Sequence, residues 1–369
     1  GSRSVAVGTA ALQAQNFTTA TDTHNTAVGF SAGKAVTTGT ANTLVGGLAG
    51  DALTTSQFNV AVGKSALSAD TLGSRSVAIG TFNLEVQNFT TATDVYNTAV
   101  GHGAGAVVTT GIRNTLIGGK AGVALTDADK NVAIGYAALS ADTLGSRSVA
   151  IGNAALEVQN FTTATDTYNV AIGDNAGAKV TTGTQNTLIG GLAGDAQTTS
   201  SGNTALGYAS LTTNVLGSNS VAIGRNALNA QNPATATDMY NVAVGNNCGE
   251  AITTGTANTF VGGLAGDATD DGTNNTAMGY LALSANCGND NTAIGKAAGS
   301  LITGGGNVCI GMEAGDALTS GNQNIIIGSG TDAATVSTNN AIVLGVGITA
   351  SANDFSFGKA SNVVTNDFD

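Results

Sequence analysis

Short apolar runs, each closed by a glycine, recur along the chain: SVAVG, NTAVG, NTLVG and NVAVG, then SVAIG, NTAVG, NTLIG and NVAIG. The closing glycines begin at Gly8, Gly29, Gly46, Gly63 and Gly80 and continue to Gly345, twenty in all. Their spacing cycles through 21, 17, 17 and 17 residues as far as Gly279 and is 16 or 17 after it. β-Branched runs cut by glycine, with no 3.6-residue period, predict short strands joined by tight turns. A 17-residue unit is also too short for a helical hairpin repeat. The pattern therefore predicts an all-β parallel β-solenoid of about twenty coils, each of 16–21 residues. Stacked at roughly 4.8 Å per coil, they would extend about 95 Å. The array covers 1–345, as 72-residue cassettes 1–72, 73–144, 145–216 and 217–288 followed by shorter coils, and 346–369 is an exit segment.

The residue before the closing glycine (Val7, Val28, Val45, Ile79) is always aliphatic or Met, and is expected to point into the coil. The residue before that, Ala6, Ala27, Leu44 or Ala61, would then face outward, yet it is apolar too. A strand apolar on both faces is covered on both, so the second face is expected to meet another subunit. Four residues before the glycine stands Asn or Ser in nineteen of the twenty coils. Asn25, Asn42, Asn59, Asn97, Asn114 and Asn131 belong to this row. Stacked amides can hydrogen-bond along a ladder, so the row is read as structural.

Composition narrows the picture. With 53 glycines, no Trp and 4% aromatic residues, the chain can fill a thin core but not a thick one. A net charge of −12 with only 12 scattered Lys and Arg argues against nucleic acid. No apolar run of about 18 residues predicts membrane insertion. The opening GSRSVAVG falls inside a repeat phrase and reads as a fragment or processed piece. Cys248, Cys287 and Cys309 follow no metal-ligand spacing; Cys248 and Cys309 stand where other coils carry Ala and read as small apolar residues.

The phrases SVAIGxxA (Ser76–Leu84) and NTAVGxxAG (Asn25–Gly33) resemble the YadA-like head repeat of trimeric autotransporter adhesins. They resemble still more the NTAVGxxAG arrays of bacteriophage tail fibres. The resemblance implies a left-handed β-roll assembled as a parallel homotrimeric rod, outside the cell, on a virion or a bacterial surface. It also implies a non-enzymatic fibre shaft that positions or aids attachment to a host receptor. The alternatives are a bacterial trimeric surface adhesin head or a structural extracellular filament.

Chemistry-bearing motifs are sparse, and no catalytic, cofactor or metal residue is assigned. His24 takes the place of Tyr96, Tyr168 and Tyr240 in its cassette. AVGKS at Ala61–Ser65 lacks the earlier glycine of a phosphate loop. Asp51, Asp195 and Asp267 recur after GGLAG and read as a solvated corner. Arg3, Arg75 and Arg147 recur in GSRS; Asp70 and Asp142, five residues before the latter two, are the expected surface partners. The oddest phrase is QNFTTATDVYN (Gln87–Asn97), which returns at 72-residue intervals and adds about four residues to one coil in four. It predicts a bulge, and its aromatics have two readings. Phe17, Phe89, Tyr96, Phe161, Tyr168 and Tyr240 either pin the longer turn or, with Arg75 and Arg147, contact a host-surface glycan or protein.

Overall fold

The structure is a computed structural model describing residues 1–359 and 362–367. The chain divides into two compact units, Gly1–Gln185 and Asn186–Asp369. Each is a parallel β-solenoid, with about 21 turns between them. In the first unit, Val5–Val7, Thr26–Val28, Thr43–Val45 and Val60–Val62 pair in parallel, residue opposite residue. The ladder continues coil by coil to Val149–Ile151 and Val170–Ile172. In the second unit the same ladder runs from Thr187–Ile189 to Ile342–Val346. Asp354–Lys359 adds to it in parallel, and Asn362–Asp367 folds back antiparallel on that strand.

The strands face the opposite way from the sequence expectation. Ala27, Leu44, Ala61, Ala78 and Ala99 are fully buried in the coil, while Val28 and Ile79 are 37% and 39% exposed. Size explains the reversal. A coil such as that of Gly63 turns through three left-handed corners, at Ser65, Leu67 and Arg75 (φ 54°, 55° and 65°). So small a loop holds alanine at most inner positions, and larger inner residues such as Phe260, Ile326 and Val343 are fully buried there only in particular coils. Each corner costs a non-glycine residue about 1–2 kcal/mol, which coil stacking must offset.

Leucine enters the inner row only where its neighbours yield space. A Cβ on Gly33 would lie 2.6 Å from Leu44 Cδ1, and one on Gly50 would lie 2.8 Å from Leu44 Cδ2. Leu116 fills the gap at Gly105 and Gly122 in the same way. The 72-residue cassette is therefore a packing period, with one inner leucine seated between two relieving glycines. The closing glycines are required differently: Gly29 has φ +142°, and a Cβ there would meet Gly46 O at 2.4 Å.

The asparagine row bonds through the backbone more than amide to amide. The Asn42 backbone N–H donates to Asn25 Oδ1 at 2.9 Å, and Asn42 Nδ2 donates to the Ser56 carbonyl at 2.9 Å. Asn59 N–H then donates to Asn42 Oδ1 at 3.0 Å. Asn97, Asn114 and Asn131 repeat the scheme, at 2.8 Å from Asn114 N–H to Asn97 Oδ1 and 2.9 Å from Asn131 N–H to Asn114 Oδ1. Each buried amide thus fixes the register of the coil that follows.

Candidate functional site

The QNFTTATDVYN phrase divides into an inner and an outer part. Gln87 is buried, and its Nε2 donates to Asp70 Oδ2 at 2.7 Å and to Ser76 Oγ at 3.1 Å. Its Oε1 accepts from Asn97 Nδ2 at 2.8 Å. Asp70 Oδ1 accepts from the backbone N–H groups of Gly73 and Phe89 at 3.0 and 3.2 Å. Gln159, Asp142, Ser148 and Asn169 build the same network one cassette later. Asp70 is therefore an interior residue and not the surface partner of Arg75, and Asp142 is likewise interior and not the partner of Arg147. The reason is topological, because residues one coil apart are closer than residues five apart around a turn.

The aromatics separate likewise. Phe89 and Phe161 are each 7% exposed, so neither can serve as a surface contact; they close the longer turn. Phe17 is half-buried. Thr90, Thr91 and Ala92 form the exposed bulge, after which Thr93–Asp94 pairs in parallel with Gly73–Ser74. That short sheet brings the outer residues together. Tyr96, Tyr168 and Tyr240 are 50%, 52% and 59% exposed.

Arg75 Nε donates to Asp94 Oδ1 at 2.9 Å, and its guanidinium lies 4.9 Å from the Phe58 ring centre and 5.8 Å from that of Tyr96. The Asp94 hydrogen bond and charge hold Arg75 above its ordinary pKa. Arg147 repeats the pair with Asp166 at 2.8 Å and lies 5.7 Å from the Tyr168 ring. Arg3 pairs with Asp22 at 3.1 Å. In the second unit Asn219 Nδ2 replaces the guanidinium, donating to Asp238 Oδ1 at 2.8 Å. A cavity of about 620 Å³ opens beside Arg75, lined by Phe58, Asp94, Thr93, Gln57 and Thr55.

Sequence reading missed Phe58, Arg113 and Lys130, which stand two residues before their strands just as Arg75 does. Only alignment on the closing glycine shows them as one row. It also missed Tyr136, Tyr208 and Tyr280, exposed directly after closing glycines at 72-residue intervals.

Among the described residues, no three His, Cys, Asp or Glu side chains lie where one metal ion could be held. Burial pushes the Cys248 and Cys309 thiols up to about 12, so neither supplies a thiolate near neutral pH. No helix of the described residues is long and apolar enough to cross a membrane. Compared with known proteins, the chain matches no family model and no curated sequence.

Proposed function

We propose that this chain is a non-enzymatic segment of an extracellular fibre, a homotrimeric shaft of the phage tail-fibre kind that holds or aids attachment to a host surface. The observation that carries this reading is the outward aliphatic face. In the first unit Val28, Val45, Val62, Ile79, Val100 and Ile117 stack in register on the outside of the strands. Phe30 and Tyr136, 62% and 58% exposed, stand immediately beyond the glycines of the same face. A contiguous apolar strip of this kind marks an interaction surface, and identical coils present it identically on every copy. The exposed Arg–Asp–Tyr clusters favour a chain that also touches its target. They suit a bacterial surface adhesin equally, which is the second reading.

Light scattering tests the assembly. Wild-type protein at micromolar concentration is expected at three times the chain mass, and Ile79→Asp/Ile117→Asp at the mass of one chain. A monodisperse wild-type monomer would sink the trimer.

A further inference from the structure

The residue before each ladder position forms an exposed row along one corner of the first unit. Over seven successive coils it reads Phe58, Arg75, Tyr96, Arg113, Lys130, Arg147 and Tyr168. The backbone stacks it: Arg113 N–H donates to Val95 O at 2.9 Å, and Lys130 and Arg147 N–H donate to Ile112 O and Asp129 O at 3.0 Å.

This corner is left-handed in both units, yet the two fill it differently. Among the described residues of the second unit, six of nine such corners, Gly202, Asn219, Asn274, Asp290, Gly306 and Asn340, hold residue types that tolerate φ of 59–73°, and the other three are Tyr240, Ala257 and Gln323. In the first unit none of the ten corner residues from Arg3 to Tyr168 is Gly, Asn or Asp, although φ there is 51–65°. Long cationic and aromatic side chains are kept where the backbone disfavours them, and strain kept in this way points to use of the side chains.

Their geometry indicates the use. Arg75 Nε donates to Asp94 and two rings flank the guanidinium, so the side chain is held as a planar fork of Nη donors beside the cavity. Such a fork matches a carboxylate. The flanking rings offer flat faces to a sugar ring, and Thr55, Gln57 and Thr93 line the cavity with donors and acceptors for hydroxyls. Coils recur about every 4.8 Å, close to the length of one pyranose unit, so a chain of sugars can follow the row. Arg113 and Lys130 have no carboxylate within ion-pair distance among the described residues. Asp94, Asp129 and Asp166 lie beside the row, so the corner is no broad positive field and recognition depends on the forks.

Resting on the attachment reading above, we infer that this corner of the first unit binds a carboxylate-bearing polysaccharide. Polygalacturonate and its fully methyl-esterified form are the probes, compared by equilibrium binding to the full chain. Wild type is expected to bind the acid polymer and to bind the ester roughly tenfold more weakly. Arg75→Lys/Arg147→Lys keeps the charge but removes both forks, and is expected to weaken binding roughly tenfold at unchanged melting temperature. Lys130 holds the same corner at φ 59°, so lysine is accommodated there. Arg225→Lys, on the second unit and off the row, is expected to match wild type. Absent binding, equal binding of acid and ester, or an unchanged double variant overturns the inference. Light scattering on the same samples keeps the two readings apart. Assembled protein without polymer binding overturns only the site, and binding by a monomer overturns only the assembly.

Discussion

Asp70 and Asp142 are buried carboxylates whose only nearby partners are neutral donors, and burial pushes both above their ordinary value of 3.8. A carboxyl whose folded pKa is raised favours the fold when protonated. Its contribution is complete below 3.8 and is lost as pH rises through the raised value. Acidification from neutral pH to about 4 should therefore strengthen the fold at these two positions. In the second unit the same position is Asn214, whose Oδ1 still accepts from Gly217 N–H at 2.9 Å. Gln231 Nε2 is left without a partner there. Asp70→Asn/Asp142→Asn is accordingly expected to flatten the pH dependence of the melting temperature between pH 7 and about 4. A dependence as steep as that of wild type would place the titrating groups elsewhere.

At the scale of one coil, the sequence disclosed the unit, its length and its parallel stacking, because the closing glycine marks the same backbone position each time. It did not disclose which face was inside. Val28 and Ala27 are both apolar, so alternation carried no sign, and the deciding quantity was the width of the closed coil. The Arg75–Asp94 pair was hidden for a related reason, since its residues lie nineteen apart and meet only once Thr93–Asp94 is laid on Gly73–Ser74. The packing period was written in the sequence as Gly33, Leu44 and Gly50 but needed the coil geometry to be read. Gly33→Ala should cost about 2 kcal/mol or more, from overpacking against Leu44 and from a left-handed corner at φ +57°. Leu44→Ala alone should cost about 2–5 kcal/mol. The double variant should cost about 1 kcal/mol less than the two singles summed, because each removes the other's clash or void. Denaturant unfolding of all three checks this, and strict additivity would show that Leu44 does not occupy the space at Gly33.

At the scale of the molecule, stability of stacked coils is a sum of neighbour terms, with few contacts between distant coils. Removal of residues 73–144 joins Leu72 to Gly145, which follows Leu144 in the native chain, and restores the sequence TLGSRS across the junction. The long and short coils keep their order, so the shortened chain is expected to fold with unchanged β content and a cooperative melt. Loss of structure throughout would show that the units depend on contacts beyond nearest coils. The fifteen ladder asparagines are each followed by Thr, Val or Ile. A free asparagine ages when the next backbone nitrogen attacks its side-chain carbonyl carbon and leaves aspartate behind. Asn42, bonded through Oδ1 to the coil after it and through Nδ2 to the Ser56 carbonyl, cannot swing into that attack, and the β-branched Thr43 crowds it further. The bonds that set the register of this solenoid therefore also set its shelf life.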